Sequence, residues 1–317
     1  LRELYNIYIR NQSVSTDSRS APPDSIFFAL KGDNFDGNRF AAQALAAGAA
    51  IAVVDDPEAA ATADGQPEKD GKLFVVEDAL EALQALAAHH RRQLSIPILA
   101  ITGTNGKTTT KELMNAVLSR KYNVYATKGN LNNHIGVPLT LLSMTCATEF
   151  GIVEMGASSQ GEIALLCGIA EPDYGLITNI GRAHLEGFGG EDGVRKTKGE
   201  LYDWLAATGG MAFVRRDDPV LAGMAAERAI DTGSRKSPGM KVYEYDASLV
   251  DGMESNLEGD YNRFNIEAAV AAGGLFGRGA DENRSAGRDF VPGNNRMRST
   301  ATRDNIFVPY FDIVNPM

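Results

Sequence analysis

Short apolar runs alternate along the chain with stretches in which apolar residues recur every three or four positions. The runs Ser25–Leu30, Ala50–Val54 and Leu73–Val76 predict buried strands, and Arg39–Ala47 and Ala79–Leu94 predict helices. Gly48 closes the first of these helices. The stretch Asp56–Lys72, rich in Ala, Asp and Gly, predicts a surface loop with a short helix. Beyond Ile96 the alternation continues. Strands are expected at Ile98–Thr102, Asn123–Ala126, Phe150–Glu154, Tyr174–Asn179, Gly210–Val214 and Met240–Tyr245. Helices fall between most of them, among them Lys111–Ser119 and Glu191–Leu205. Strands that alternate with helices imply an α/β fold built on a doubly wound, mostly parallel sheet. Three units are expected: a small α/β unit over residues 1–94, a central unit over 95–280, and a segment over 281–317. In that last segment Asn305–Val308 reads as the first strand of a further α/β unit.

Composition narrows the class. Apolar residues make up 44% and charged residues 23% of the 317, the proportions of a soluble globular protein. No run of eighteen apolar residues predicts a membrane span, and no signal peptide is read. A net charge of −10 turns away from nucleic acid, which calls for a basic surface. Cys146 and Cys167 lie among apolar residues without metal-ligand spacing, so both are expected as buried, reduced thiols of a cytoplasmic protein. The chain opens at Leu1 rather than Met, so a few preceding residues are expected.

The candidate chemistry centres on Ala100-Ile-Thr-Gly103-Thr104-Asn105-Gly106-Lys107-Thr108-Thr109-Thr110. It follows a predicted strand and opens a predicted helix, the arrangement of a phosphate-binding loop. Glycines let backbone N–H groups point at phosphate oxygens, and the helix N-terminus adds a favourable dipole. Lys107 would pair with phosphates and Thr108 would ligate Mg²⁺, which points to ATP-type chemistry. The loop is shorter than the usual pattern, since Ile101 stands where a first glycine is required.

Three further groups sit past predicted strand ends. Glu154 ends an apolar strand and is followed by Met-Gly-Ala, which permits close approach to a metal; the bland alternative is a surface carboxylate. His184, one of four histidines, follows Gly181 and Arg182 and is a candidate for metal or phosphate. The stretch Lys128–His134 is rich in amides and could bind substrate or phosphate. Lys198, on a predicted helix, reads by composition alone as solvated.

The chain resembles the Mur ligases, ATP-dependent amide ligases of peptidoglycan synthesis. Four stretches carry the resemblance: Thr16-Asp-Ser-Arg19 with Ser25–Gly32 and Asp36-Gly37; the short loop Thr102–Thr109; Gly129–Leu142; and Glu154–Ala157 with Thr178–Phe188. Gly129–Leu142 is most specific to the branch that adds D-alanyl-D-alanine. The resemblance implies that residues 1–94 bind the UDP end of a UDP-MurNAc-tripeptide through Thr16, Asp17, Ser18 and Arg19, with Asn130 and Asn133 at the substrate. It implies that Gly103, Thr104, Asn105, Gly106, Lys107, Thr108 and Thr109 hold ATP, joined by Asn262, Asn265 and Arg296. Thr108, Glu154, His184 and a carbamoylated Lys198 would hold Mg²⁺, and Lys107, Lys198 and His184 would be catalytic. A carbamate turns a lysine into a carboxylate-like ligand, which accounts for a lysine near a metal. The family suggests a monomer, without nucleic acid. An amino-acid-adding ligase of the same family and a substrate-binding module without turnover are the alternatives. The chain departs from the family between Ala247 and Leu257, where a longer stretch is usual, and after Asn305, where Pro309 and Tyr310 disturb the expected strand and acid. Most of a C-terminal ligase domain is expected to be absent.

Overall fold

A computed structural model of the chain describes residues 1–60, 71–181, 188, 190–229, 238–253, 257, 260–277, 285 and 290. The chain opens with α1 (Arg2–Asn11), β1 (Val14–Ser15) and β2 (Ile26–Phe28). A small antiparallel pair follows, β3 (Lys31–Gly32) and β4 (Phe35–Asp36). After a 3₁₀ turn at Gly37–Phe40 come α2 (Ala41–Ala46), β5 (Ile51–Val54), α3 (Pro57–Ala60), β6 (Leu73–Val75) and α4 (Ala79–Gln93). Strands β1, β2, β5 and β6 form a parallel sheet in that order. Every residue of Ile26–Phe28 is buried, as expected for a parallel strand covered on both faces.

The central unit runs β7 (Ile98–Thr102), α5 (Lys107–Leu118), β8 (Val124–Ala126), α6 (Gly136–Leu142), β9 (Phe150–Glu154), α7 (Glu162–Ala170) and β10 (Tyr174–Ile177). It continues with α8 (Glu191–Thr208), β11 (Met211–Arg215), α9 (Pro219–Ala229), β12 (Lys241–Tyr245), a 3₁₀ turn at Ala247–Val250 and α10 (Asp260–Phe276). The six strands are parallel in the order β12-β11-β10-β7-β9-β8. From the central β7 the chain passes to β8 and β9 on one side, then to β10, β11 and β12 on the other. The carboxyl ends beside β7 are therefore the switch point at which such sheets bind ligands.

Two apolar layers enclose this sheet. On one face Leu113, Met114 and Val117 of α5 and Ala268, Ala269 and Ala272 of α10 pack on Leu99, Ile101 and Phe150. The other face shares one core with the N-terminal unit: Leu83, Leu86 and Ala87 of α4 join Val137 and Leu141 of α6 and Leu166 of α7. Polar groups lock the junction. Tyr8 Oη donates to the carbonyl of Leu142 at 2.7 Å. The buried guanidinium of Arg91 donates to the carbonyls of Ala170, Leu94, Ile96 and Glu171 and to Asp173.

The predicted strands match within one or two residues at each end, and the predicted helices are extended or trimmed by one to four residues. Helix α5 begins four residues early, at Lys107, because the glycine loop itself feeds its first turn. Helices α1 and α6 are among those the pattern does not name. α1 buries only Leu4 and Tyr8 of its ten residues. α6 carries Pro138 in its first turn, where the missing N–H costs nothing. The expectation that both thiols are buried is corrected. Cys167 is buried within α7, whereas Cys146 is exposed on the loop after α6. The segment near Asn305 and residues 61–70 lie outside the described residues.

Candidate nucleotide-binding site

Strand β7 delivers its chain directly into the glycine loop. Gly103 has φ +139°, and a Cβ there would collide with the Thr178 side chain; Gly106 has φ +79° and caps α5. These are the two places in the loop where a side chain is excluded. The loop is braced from β10: Thr104 N donates to Asn179 O at 3.1 Å, and Asn105 N donates to Asn179 Oδ1 at 3.1 Å. Thr178 Oγ1 and Asn179 Nδ2 both donate to Asn105 O, at 2.6 and 3.0 Å. Thr104 Oγ1 accepts from Gly181 N at 2.9 Å. Among the described residues no side chain caps α5, so its first N–H groups remain for an anion.

Lys107 folds back on this loop, donating to the carbonyls of Gly103 at 2.8 Å and Thr104 at 3.1 Å. Burial holds its pKa below the usual lysine value, partly offset by Glu154. Thr108 Oγ1 donates to Glu154 Oε1 at 3.3 Å, and Asn132 Nδ2 donates to the same oxygen at 2.9 Å. Glu154 is 1% exposed, and its Oε2 has no hydrogen-bond partner. Among the described residues the nearest cation is Lys111 Nζ, at 3.8 Å.

Asn262 and Asn265 are buried on α10. Asn265 Oδ1 accepts from Thr110 Oγ1 at 3.0 Å, and Asn265 Nδ2 donates to Asn262 Oδ1 at 3.1 Å. The pair therefore abuts the first turn of α5.

A cavity of about 500 Å³ opens beside the loop, lined in part by Gly103, Thr104, Lys107, Asn132, Phe188 and Lys198. Lys198 stands on α8, 3% exposed, with Nζ 5.3 Å from the centroid of the Phe188 ring. Burial, reinforced by the charge of Lys107, pulls its pKa down to about 8, against the pull of Glu162 and Glu200. The solvated lysine that composition suggests is thus a buried one facing a site. Both neighbouring carboxylates are occupied. Glu200 accepts from Gly161 N and Ala164 N, and Glu162 from Ser158 N and Ser159 N.

The other expected residues are placed differently. Asn133 lines the cavity, but its Oδ1 accepts from Ile135 N and Gly136 N and so starts α6. Asn130 is exposed, and its carbonyl accepts from Asn132 N at 2.7 Å. The amide that reaches Glu154 is Asn132, which the sequence did not single out among its neighbours. Lys111 and Thr127 were also missed; nothing in the sequence distinguishes them from surface residues. Thr16, Asp17, Ser18 and Arg19 follow β1 on the other sheet, away from the lining of this cavity. There Arg19 pairs with Asp17 at 2.9 Å and pulls the Asp17 carboxyl down to about 2, while Ser18 Oγ donates to Gln43 Oε1 at 3.3 Å. His184 and Arg296 lie outside the described residues. Among the described residues no group of three or more His, Cys, Asp or Glu forms a metal cluster.

Known proteins match this arrangement. The family profile described as "Mur ligase family, catalytic domain" matches residues 11–91, and that described as "Mur ligase middle domain" matches residues 101–273. The UDP-N-acetylmuramoyl-tripeptide--D-alanyl-D-alanine ligase of Bacillus subtilis is 36% identical over 274 residues, 83% of this chain and 58% of that protein. The enzyme of the same name from Escherichia coli is 41% identical over 216 residues, 68% of this chain and 46% of that protein. A crystal structure of MurF from Acinetobacter baumannii superposes with TM-score 0.76 at 30% identity, covering 90% of this chain and 64% of that one. MurF from Thermotoga maritima in complex with ADP superposes with TM-score 0.70 at 27% identity, covering 89% of this chain and 67% of its own. The chain thus spans little more than half the length of the curated relatives it matches. The middle-domain profile covers more than half of this chain and includes the glycine loop, Glu154 and Lys198, and by this match the chain belongs to the Mur ligase family.

Proposed function

We propose that this chain carries the nucleotide-binding and donor-substrate parts of an ATP-dependent amide ligase that joins D-alanyl-D-alanine to UDP-MurNAc-tripeptide. The observation that carries the reading is the pairing of a glycine-lined α5 N-terminus with a buried carboxylate, Glu154, that keeps one oxygen unbonded beside Thr108. The relatives' names supply the substrates, and the ADP complex of a similar fold supplies the nucleotide.

Each residue then has a physical task. Lys107 leaves the loop carbonyls to bind phosphate oxygens and offsets the charge that develops there. Glu154 and Thr108 offer hard oxygen donors suited to Mg²⁺, and the orphaned Oε2 fits that use. When bound, Mg²⁺ neutralises phosphate charge and makes the terminal phosphoryl group a better electrophile. ATP would supply the activation: transfer of its terminal phosphoryl group to the peptide carboxylate would leave ADP and an acyl phosphate, and attack of the dipeptide amine on the acyl carbon would expel phosphate and release a proton as the amide forms. Lys198, neutral in part near pH 8, is an amine able to take up CO₂ and become a carboxylate-like ligand. Thr16–Arg19 on the first sheet would hold the UDP end.

Two measurements test this. Phosphate release by the full-length product, with UDP-MurNAc-tripeptide and ATP present, is expected to depend on D-alanyl-D-alanine. If meso-diaminopimelate or lysine replaces the dipeptide as acceptor, the chain belongs to an amino-acid-adding branch. Calorimetric titration of the chain itself is expected to show UDP-MurNAc-tripeptide binding more tightly than UDP. Equal affinity would remove the tripeptide from the reading.

A further inference from the structure

Lys111 is the most deeply buried cation of the site, with a relative exposure of 0%. It stands one turn beyond Lys107 on α5 and faces inward beneath the glycine loop. Its Nζ donates to the carbonyl of Thr127 at 2.6 Å, contacts Glu112 at 3.0 Å and lies 3.8 Å from Glu154 Oε2. Thr127 holds the other end of the same arrangement, because its Oγ1 accepts from the backbone N–H of Glu154 at 3.0 Å. One residue thus anchors both the ammonium and the strand that carries the carboxylate. The opposite oxygen, Oε1, is fixed by Asn132 and Thr108.

A lysine is placed here at a cost in desolvation, which only nearby anions offset. Glu154 and Glu112 are those anions. Lys107 stands on the same helix and also feels Glu154, so this buried carboxylate already faces fixed ammonium groups before any ligand arrives. A free divalent cation entering beside Oε2 would add two positive charges against a fixed ammonium a few ångströms away. At the dielectric of a protein interior that repulsion is large. A nucleotide brings its own negative charge and removes the obstacle.

We propose that Lys111 is a resident counter-ion for Glu154 that makes this carboxylate a nucleotide-dependent ligand, so that a divalent cation enters only together with phosphates. Lys111 is a positioning residue in this scheme; it touches neither phosphate nor cation. The inference rests on the reading of Glu154 and Thr108 as the cation's protein ligands.

The test uses Mn²⁺ as the probe, with free Mn²⁺ counted by electron paramagnetic resonance at about pH 8, where carboxylates are ordinarily ionised. Without nucleotide the wild-type chain is expected to show no saturable Mn²⁺ site that Glu154→Gln removes. With ADP it gains one. Lys111→Met is expected to bind Mn²⁺ without nucleotide about tenfold or more tightly than wild type, and the added Glu154→Gln change is expected to abolish that gain. Lys111→Arg keeps the charge and is expected to follow wild type. A folded Lys111→Met chain that still binds Mn²⁺ with ADP, yet gains nothing without it, overturns the proposal. So does a Glu154-dependent Mn²⁺ site in the nucleotide-free wild type, an outcome that needs no Lys111 variant to fold. If Mn²⁺ binding with ADP is indifferent to Glu154→Gln, the underlying reading of Glu154 fails instead.

Discussion

Replacing Gly106 by alanine separates backbone conformation from packing at the centre of the loop. Gly106 sits at φ +79°, and an added Cβ would lie 2.6 Å from Asn265 Oδ1. That oxygen cannot simply swing away, because Asn265 is bonded to both Thr110 and Asn262. The left-handed conformation costs a residue with a Cβ about 1–2 kcal/mol. Forcing a methyl group into a filled position costs about 1–3 kcal/mol more. Gly106→Ala should therefore destabilise the central unit by about 2–5 kcal/mol. Gly129 is the internal control, since it has φ +57° with nothing within 4 Å of its added Cβ. Gly129→Ala should cost only the conformational part, about 1–2 kcal/mol. Urea unfolding followed by the fluorescence of Trp204, the single tryptophan, reports on the central unit through α8. Unfolding need not be two-state across both units, so the difference between variants is the quantity read. In an Asn265→Ala background the penalty of Gly106→Ala should shrink towards that of Gly129→Ala. Equal penalties for the two glycines in the parent chain would refute the packing term and leave Asn265 without a role in shaping the loop.

Three further outcomes are expected. His90 is buried between the units, with Nε2 2.9 Å from the carbonyl of Met144 and Nδ1 3.3 Å from Tyr5 Oη; burial lowers its pKa from 6.5. The unfolded chain then binds the proton more readily, so the stability of this junction should fall as pH drops below about 6.5, and His90→Asn should flatten that part of a urea-midpoint profile. An aromatic disulfide reagent should titrate Cys146 at once in the native chain and Cys167 only on unfolding, since Cys167 is buried and its thiol is pushed up; simultaneous reaction would contradict the placement of α7. Lys198→Ala should lower ligation in the full-length product, with partial rescue by short carboxylic acids; full activity without rescue would remove Lys198 from the site.

What the residues determine by themselves is local. Apolar runs such as Ile98–Thr102 and Phe150–Glu154 are buried on both faces, so their hydrophobicity alone marks them as parallel strands. Gly103 and Gly106 are legible because backbone chemistry requires glycine wherever φ is positive and a neighbour presses close. The N-terminal helix α1 was not legible, because it buries only Leu4 and Tyr8, and Tyr8 finds its partners, the Leu142 carbonyl and the His90 ring, far along the chain. The same distinction runs through the site. The loop is a contiguous motif, and motifs survive in one dimension. Which amide meets Glu154 depends on how residues 129–135 turn before α6, and that turn places Asn132 on the carboxylate while Asn133 accepts from the backbone N–H groups of Ile135 and Gly136. Lys111 and Lys198 look like solvated lysines in sequence. Only the packing of α5 on β8 and β9, and of α8 beside the loop, removes them from water. Burial is a property of the assembled layers, and it decides which charges become chemistry.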